Sequence, residues 1–372
     1  MPLDPASTGS AASSTDSAGD HQGNNGSAKS DRPVIDPSFL ETVDAGDIEK
    51  VRVQHPYWRR VLRKLEYCRV WSKSATDPYC MMIVGESGVG KSAIIDRYLQ
   101  LHSPVVTADG RRVPVLKITT PSVPTTKAIV EAIIIALVGH LPAKGTMEEQ
   151  TARLLHLLSV AEVELIIIDE FQHVIEHANA RFKQETSDWI KNLITLSSIP
   201  VVLVGMPNSL EILENEQLRR RFMTKIHVKR FIWSEKGLEN LKVFLDELEV
   251  SLPFEQKLGL GGTDLPHRFY YASDGMLGTV MKIVRGAAHL AQAPNGPGKL
   301  TMKNLSYAYR DTVTDRKDVD PFMTPSDEIH TYIKEEVVKH RGSEQKYYGR
   351  QKRFKRPKPP TSDDIVRPRA AK

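Results

Sequence analysis

The residues with the most pointed chemistry in this sequence are Gly85-Glu86-Ser87-Gly88-Val89-Gly90-Lys91-Ser92. They fit the pattern G-x-x-x-x-G-K-[ST]. In it, glycines let backbone N–H groups close on the phosphates of a nucleotide, the lysine supplies a cation and the hydroxyl ligates magnesium. All eight are nucleotide-binding candidates, with Ser92 a magnesium ligand and Lys91 also a catalytic, charge-stabilising group. A second pattern, Leu165-Ile166-Ile167-Ile168-Asp169-Glu170, puts two carboxylates at the end of an apolar run, 78 residues after Lys91. Asp169 would hold the magnesium, directly or through water, and Glu170 would polarise an attacking water. Apolar runs often end in acids, so this one takes its meaning from the phosphate loop upstream.

Two further features carry chemistry. Gly205-Met206-Pro207-Asn208 follows the apolar run Val201 to Val204, and Asn208 there could touch a γ-phosphate, orient a water or simply make a turn. Gln217-Leu218-Arg219-Arg220-Arg221-Phe222 sets three arginines beside an apolar anchor. One of them could reach the γ-phosphate held by an adjacent subunit. Consecutive helical residues point in different directions, so at most one or two could do so, and a solvated basic face is the alternative. The chemistry expected is ATP hydrolysis, slow until a neighbour adds its groups, because positioning and charge stabilisation do most of the work.

A phosphate loop must be fed by a strand and leave into a helix, and Met81 to Val84 and Ala93 to Leu101 have those patterns. Further β-rich runs (Val113 to Ile118, Glu164 to Ile168, Val201 to Val204, Lys225 to Val228) alternate with helical patterns at 91–102, 125–139, 147–160 and 178–197. That alternation predicts an α/β fold, a parallel sheet covered by helices on both faces. From Ser234 onward the pattern is helical only. The expected organisation is a Ser/Gly/Ala-rich disordered segment at 1–33, a helical lead-in at 34–77 and an α/β ATPase domain at 78–233. A helical lid domain at 234–312, a helical extension at 313–338 and a disordered basic tail at 339–372 follow.

Composition is that of a globular protein, 40% hydrophobic and 26% charged, with a net charge of +5. The charge is uneven: residues 1–50 carry −6 and residues 339–372 carry +9. A basic tail suits a polyanion or an acidic protein partner, or serves only solubility. No apolar run approaches the roughly 20 residues of a membrane helix, and the first residues have neither a secretory nor a transit pattern, so a cytoplasmic protein without membrane contact is expected. Cys68 and Cys80 lack CxxC spacing, which argues against a zinc ribbon or disulfide framework. His173 and His177, four apart, read more simply as a helix face than as metal ligands.

With these residues assembled, the chain resembles the AAA+ ATPases and, within them, the transposition ATPases of the TniB/TnsC group, relatives of phage Mu B protein. The resemblance spans about Pro56 to Ala293 and rests on GESGVGKS, LIIIDEFQHV, VLVGMPNS, QLRRRF and SDGMLGTVMKIVRGAAHLA in that order. The first two segments are common to many ATPases; DEFQHV and the later ones supply the specificity. The resemblance implies a P-loop NTPase of AAA+ type in a homo-oligomer, ring or helical filament, with ATP and magnesium between subunits. Lys91, Ser92, Asp169 and Glu170 take their family roles, and Arg221, just before Phe222, is the best match to the trans-acting arginine, with Arg220 second. One departure is that Gly278-Thr279-Val280-Met281-Lys282 has no arginine in register for a second nucleotide sensor, leaving Lys282 as the substitute.

The resemblance further implies ATP-dependent assembly on double-stranded DNA, selection of a target and recruitment of a transposase, with a TniQ-like target-selection protein as another partner. Candidate DNA contacts are Thr119, Thr120, Thr125, Thr126 and Lys127 in one segment and Lys144 and Thr146 in a second. The tail from Lys346 to Lys358 interleaves aromatic and basic residues and could hold DNA or dock a protein partner. Two alternatives stand beside this. A replication-initiator or clamp-loader-like AAA+ ATPase would be favoured by a separate DNA-reading domain after the helical part, for which the chain beyond Asp311 offers little room. A nucleotide-switched signalling NTPase would not bind DNA, and its usual long repeat region is missing here.

Overall fold

The computed structural model describes residues 53, 56–108, 110–140, 144–176, 180–293, 296–313 and 319–335. The expectations for 1–33 and for the tail at 339–372 lie outside the described residues. Helix α1 (Pro56–Ser72) buries Trp58, Val61, Leu62 and Leu65 at helical spacing. There follow β1 (Met81–Gly85), α2 (Lys91–Leu101), a hairpin of β2 (Val105–Thr107) and β3 (Gly110–Arg112), β4 (Val115–Thr119), α3 (Thr126–Val138), α4 (Met147–Val160) and β5 (Leu165–Asp169). Next come α5 (Gln172–Glu176), α6 (Ala180–Ser197), β6 (Val201–Gly205), a 3-10 turn over Pro207–Glu214, α7 (Glu216–Arg221) and β7 (Thr224–Val228). The C-terminal part is helical: α8 (Glu235–Val250), α9 (Leu265–Ser273), α10 (Leu277–Gln292), α11 (Met302–Thr312) and a helical stretch at 326–335.

The five long strands form one parallel sheet in the order β4-β5-β6-β1-β7. Strands β1, β5 and β6 are buried along their whole length, as parallel strands covered on both faces must be. Their period of two divides the core. Met81, Ile83, Ile167, Val202 and Val204 pack with α1, α2 and the C-terminal helices, while Met82, Val84, Ile166, Ile168 and Leu203 pack with α3, α4 and α6. A register slip of one residue would exchange the two sets.

Local signals set the helix starts. The Thr125 side chain accepts from Ala128 N, Thr146 and Glu149 form a reciprocal capping box, and Ser234 accepts from Gly237 N. Each such cap contributes about 1 kcal/mol. The helix that leaves the phosphate loop, α2, is tied to α1 through Glu66, which accepts from Tyr98 Oη at 2.7 Å and Arg69 Nε at 3.2 Å and lies 3.1 Å from His102 Nε2. Burial alone would raise the Glu66 carboxyl, but hydrogen bonds from His102, Arg69 and Tyr98 outweigh it and hold the pKa at about 2. Cys68 and Cys80 are free and buried. Among the described residues no helix is long and apolar enough to cross a membrane.

Candidate nucleotide site

Parallel strands all end on one edge of the sheet, so β1, β5 and β6 deliver the segments starting at Glu86, Glu170 and Met206 side by side. Gly88 and Gly90 sit at φ +78° and +97°, left-handed values that side-chain-bearing residues seldom adopt. Gly90 precedes α2 without any side-chain cap, which leaves the first N–H groups of that helix to an anion. A cavity of about 220 Å³ lies here, lined by Ser87, Gly88, Lys91, Ser92, Glu170 and Gln172 among others. The structure thus gathers Lys91, Ser92 and Glu170 around one space. Lys91 is buried, and its Nζ donates to the carbonyls of Gly85 and Glu86 at 2.8 Å each. Burial pushes its ammonium below the usual lysine range, and the charges of Glu170, Asp169 and Glu86 offset part of that.

Asp169 is buried at the end of β5. Its Oδ1 accepts from Glu170 N at 2.9 Å, and its Oδ2 lies 3.3 Å from Nζ of Lys117 on β4. Lys117 also pairs with Asp96 of α2 at 2.9 Å. Burial would lower the Lys117 ammonium, but the bonds and charges of Asp96 and Asp169 hold it above its ordinary value. Thr120 is buried, and both its N–H and its hydroxyl donate to the Asp169 carbonyl, at 2.9 and 2.8 Å. Its hydroxyl is therefore occupied in fixing the strand end rather than presented at the surface. Ser92 and Asp169 offer one hydroxyl and one carboxylate. Such a hard-oxygen pair suits magnesium, whose remaining ligands are phosphate oxygens and waters. Among the described residues no cluster of three or more His, Cys, Asp or Glu could hold a metal by itself.

The C-terminal helices close on the loop from the other side. The N–H of Gly278, in the first turn of α10, donates to the carbonyl of Gly88 at 2.7 Å. A Cβ on Gly90 would lie 2.9 Å from Leu277 Cδ2 and 3.1 Å from Trp58 Cζ2, so the loop is held between α1 and α10. Beyond this contact a larger cavity, about 650 Å³, is lined by Trp58, Val89, Ile226, Val228 and Leu277 together with basic residues that include Arg60, Lys64, Lys225 and Arg230. Its size and the apolar part of its lining suit the base and sugar of a nucleotide whose phosphates occupy the loop. The sequence reading missed it, because Trp58 and Leu277 stand more than two hundred residues apart and carry no motif.

Other candidates lie elsewhere. Lys282 is exposed and outside the lining of the phosphate cavity; α10 reaches the loop through the Gly278 backbone and Leu277 instead. Asn208 lies in the 3-10 turn and donates to Glu176 at 3.4 Å, while Met206 is the residue of that segment in the cavity wall. Arg221 donates to Asp77 at 3.2 Å and Thr195 at 3.1 Å, and exposed Arg220 lies 3.5 Å from Glu216. Since α7 feeds the start of β7, these arginines sit a strand length, about 15 Å, from the phosphate edge of their own sheet. Of the proposed DNA contacts, Thr119, Lys127 and Lys144 are exposed, and Lys127 Nζ donates to Gly145 O at 3.5 Å, joining the two segments in space. Thr125 and Thr146 are helix caps, and Thr126 Oγ1 is buried. His173 lies 3.5 Å from Glu176; His177 is outside the described residues.

Comparison with known proteins adds two findings. A family model described as bacterial TniB protein matches residues 48–232. The chain is also similar to the ORC2 protein of Aeropyrum pernix in its ADPNP-ADP complexes, with TM-score 0.52 and 16% identity over 75% of this chain and 72% of that one. Cdc6p from Pyrobaculum aerophilum gives TM-score 0.52 and 15% identity, over 76% and 73% of the two chains. At these identities the likeness speaks for the fold alone. No curated protein matches the chain.

Proposed function

Through residues 48–232 this chain belongs to the bacterial TniB family, with an AAA+ fold, and we propose that it is an ATP-controlled regulator of DNA transposition. In this proposal ATP and magnesium bind at Lys91, Ser92 and Asp169, and the base enters the cavity beside Trp58 and Val89. Ser92 and Asp169 would hold the magnesium, which would supply charge neutralisation at the phosphates. Glu170 takes a proton from the attacking water, while Lys91 and the loop N–H groups steady the phosphates. An arginine from a neighbour, Arg221 foremost, completes the charge stabilisation. ATP-bound subunits assemble on duplex DNA, select the target and recruit the transposase and its TniQ-like partner, and hydrolysis disassembles them.

The observation that carries this proposal is the single cavity shared by the phosphate loop and Glu170 within the family-matched segment. The position of α7 supports the oligomer, since its arginines can serve only a neighbour's cavity, in a head-to-tail contact. The test is binding of the purified protein to a random-sequence duplex, with and without a slowly hydrolysed ATP analogue, at two salt concentrations, read by anisotropy and electron microscopy. Large analogue-dependent complexes that weaken with salt are expected. Absence of DNA binding in both nucleotide states would reject the transposition reading and leave a protein-only switch.

A further inference from the structure

Gln172, in the first turn of α5, is 5% exposed and joins two parts of the phosphate site. Its Nε2 donates to the Glu170 carboxylate, and its Oε1 accepts from the N–H of Met206 at 3.1 Å. A backbone N–H can only donate, so the amide oxygen must face Met206 and the amide nitrogen must face Glu170. The orientation is thereby fixed, and Gln172 meets the Glu170 carboxylate as a donor. Glu170 itself holds φ +54°, a conformation costly for a residue with a side chain, and the tether fixes where its carboxylate goes. The bridge also depends on Gly205, where a Cβ would lie 2.8 Å from Gln172 Oε1 and 2.4 Å from Ser209 Oγ. Glu170, Gln172 and Met206 line the same cavity.

We propose that Gln172 is a positioning residue for hydrolysis, which couples the Glu170 carboxylate to the end of β6 at Met206. This rests on the hydrolytic reading of Glu170. A nucleotide that shifts the Met206 segment on entering the cavity moves Gln172, and Gln172 moves the base. A misplacement of about 1 Å in such a group can cost about a hundredfold in rate.

The test is steady-state ATP hydrolysis by the full-length protein, with nucleotide affinity measured separately by titration of a fluorescent ATP analogue. Gln172→Ala is expected to lower kcat by about ten- to a hundredfold while KM and analogue affinity stay within about twofold. Gly205→Ala, which crowds the amide oxygen, is expected to give the same split, and the double variant to be no worse than the weaker single, because both cut one tether. Gln172→Glu, which sets a second carboxylate against the first, is expected to lose at least as much kcat as Gln172→Ala and decides the matter if Gly205→Ala does not fold. Wild-type kcat in Gln172→Ala, additive losses in the double variant, or equal losses of affinity and kcat would overturn the proposal. Glu170→Gln hydrolysing at the wild-type rate would instead remove the hydrolytic reading, and this proposal with it, without any Gln172 variant being needed.

Discussion

The N–H of Gly278 and the carbonyl of Gly88 meet at 2.7 Å, so the first turn of α10 is bonded directly to the phosphate loop. A Cβ at 278 would stand 2.9 Å from that carbonyl oxygen, which only glycine avoids. Gly278→Ala should push the helix off the loop and lose one hydrogen bond, about 1 kcal/mol or roughly fivefold in nucleotide affinity. Unchanged affinity in a fluorescent-nucleotide titration would mean that the contact does not report on the nucleotide.

Lys91 and Glu170 should separate binding from turnover. Lys91→Ala removes the buried cation of the loop and is expected to abolish nucleotide binding and nucleotide-dependent assembly. Glu170→Gln keeps the shape of the site and is expected to permit both while hydrolysis falls at least a hundredfold. Nucleotide titration and ATP-dependent assembly by light scattering, each measured beside phosphate release, distinguish the two; normal hydrolysis by Glu170→Gln would refute its role as base.

For the arginines the expectation concerns mixtures. Arg221→Ala alone should lower hydrolysis by about a thousandfold, the usual scale for a trans arginine. Mixed with Glu170→Gln subunits, it should regain activity, since some interfaces then pair an intact Glu170 with an intact Arg221. A mixture as inactive as its two components would place the arginine's action within one chain, whereas near-normal hydrolysis by Arg221→Ala alone would assign the role to Arg220.

Lys117 compensates the buried carboxylate of Asp169. Lys117→Met should destabilise the fold by roughly 3 kcal/mol in urea titration, because an uncompensated buried charge remains. Adding Asp169→Asn should return much of that loss, whereas strictly additive effects would show that the pair is not coupled.

Acid should loosen α2 through Glu66. Its folded pKa, about 2, is below the ordinary value of 4.5, so its contribution is full above pH 4.5 and is lost as pH falls towards 2. The loss amounts to roughly 3 kcal/mol at about 1.4 kcal/mol per pH unit. Glu66→Gln should flatten the stability profile between these limits; an unchanged slope would assign acid sensitivity to other carboxylates.

What the sequence revealed follows from how contiguous each signal is. The phosphate loop and the Asp169-Glu170 strand end are unbroken segments, and the five apolar runs became β1, β4, β5, β6 and β7 within about two residues of their expected bounds. The hairpin of β2 and β3 escaped notice because its strands are three residues each and wholly exposed, so no buried face imposes an alternation. Lys117 and Gln172 escaped for another reason. A lone lysine in a strand and a glutamine after an acid acquire meaning only when β4 is laid beside β5 and the end of β6 beside α5. Thr120 and Lys127 are both plausible surface contacts in sequence, and only burial separates them.

In the proposed head-to-tail stack, with the phosphate loop and α7 at opposite edges of one parallel sheet, each joint would take its pocket from one member and its arginine from the next. A finite stack therefore finishes in two unlike termini. One presents a nucleotide pocket that no arginine serves, the other an arginine with no nucleotide to serve. The nucleotide at the first terminus would be consumed last, and newcomers would meet different chemistry at the two ends, giving growth a direction that only closure into a ring would abolish.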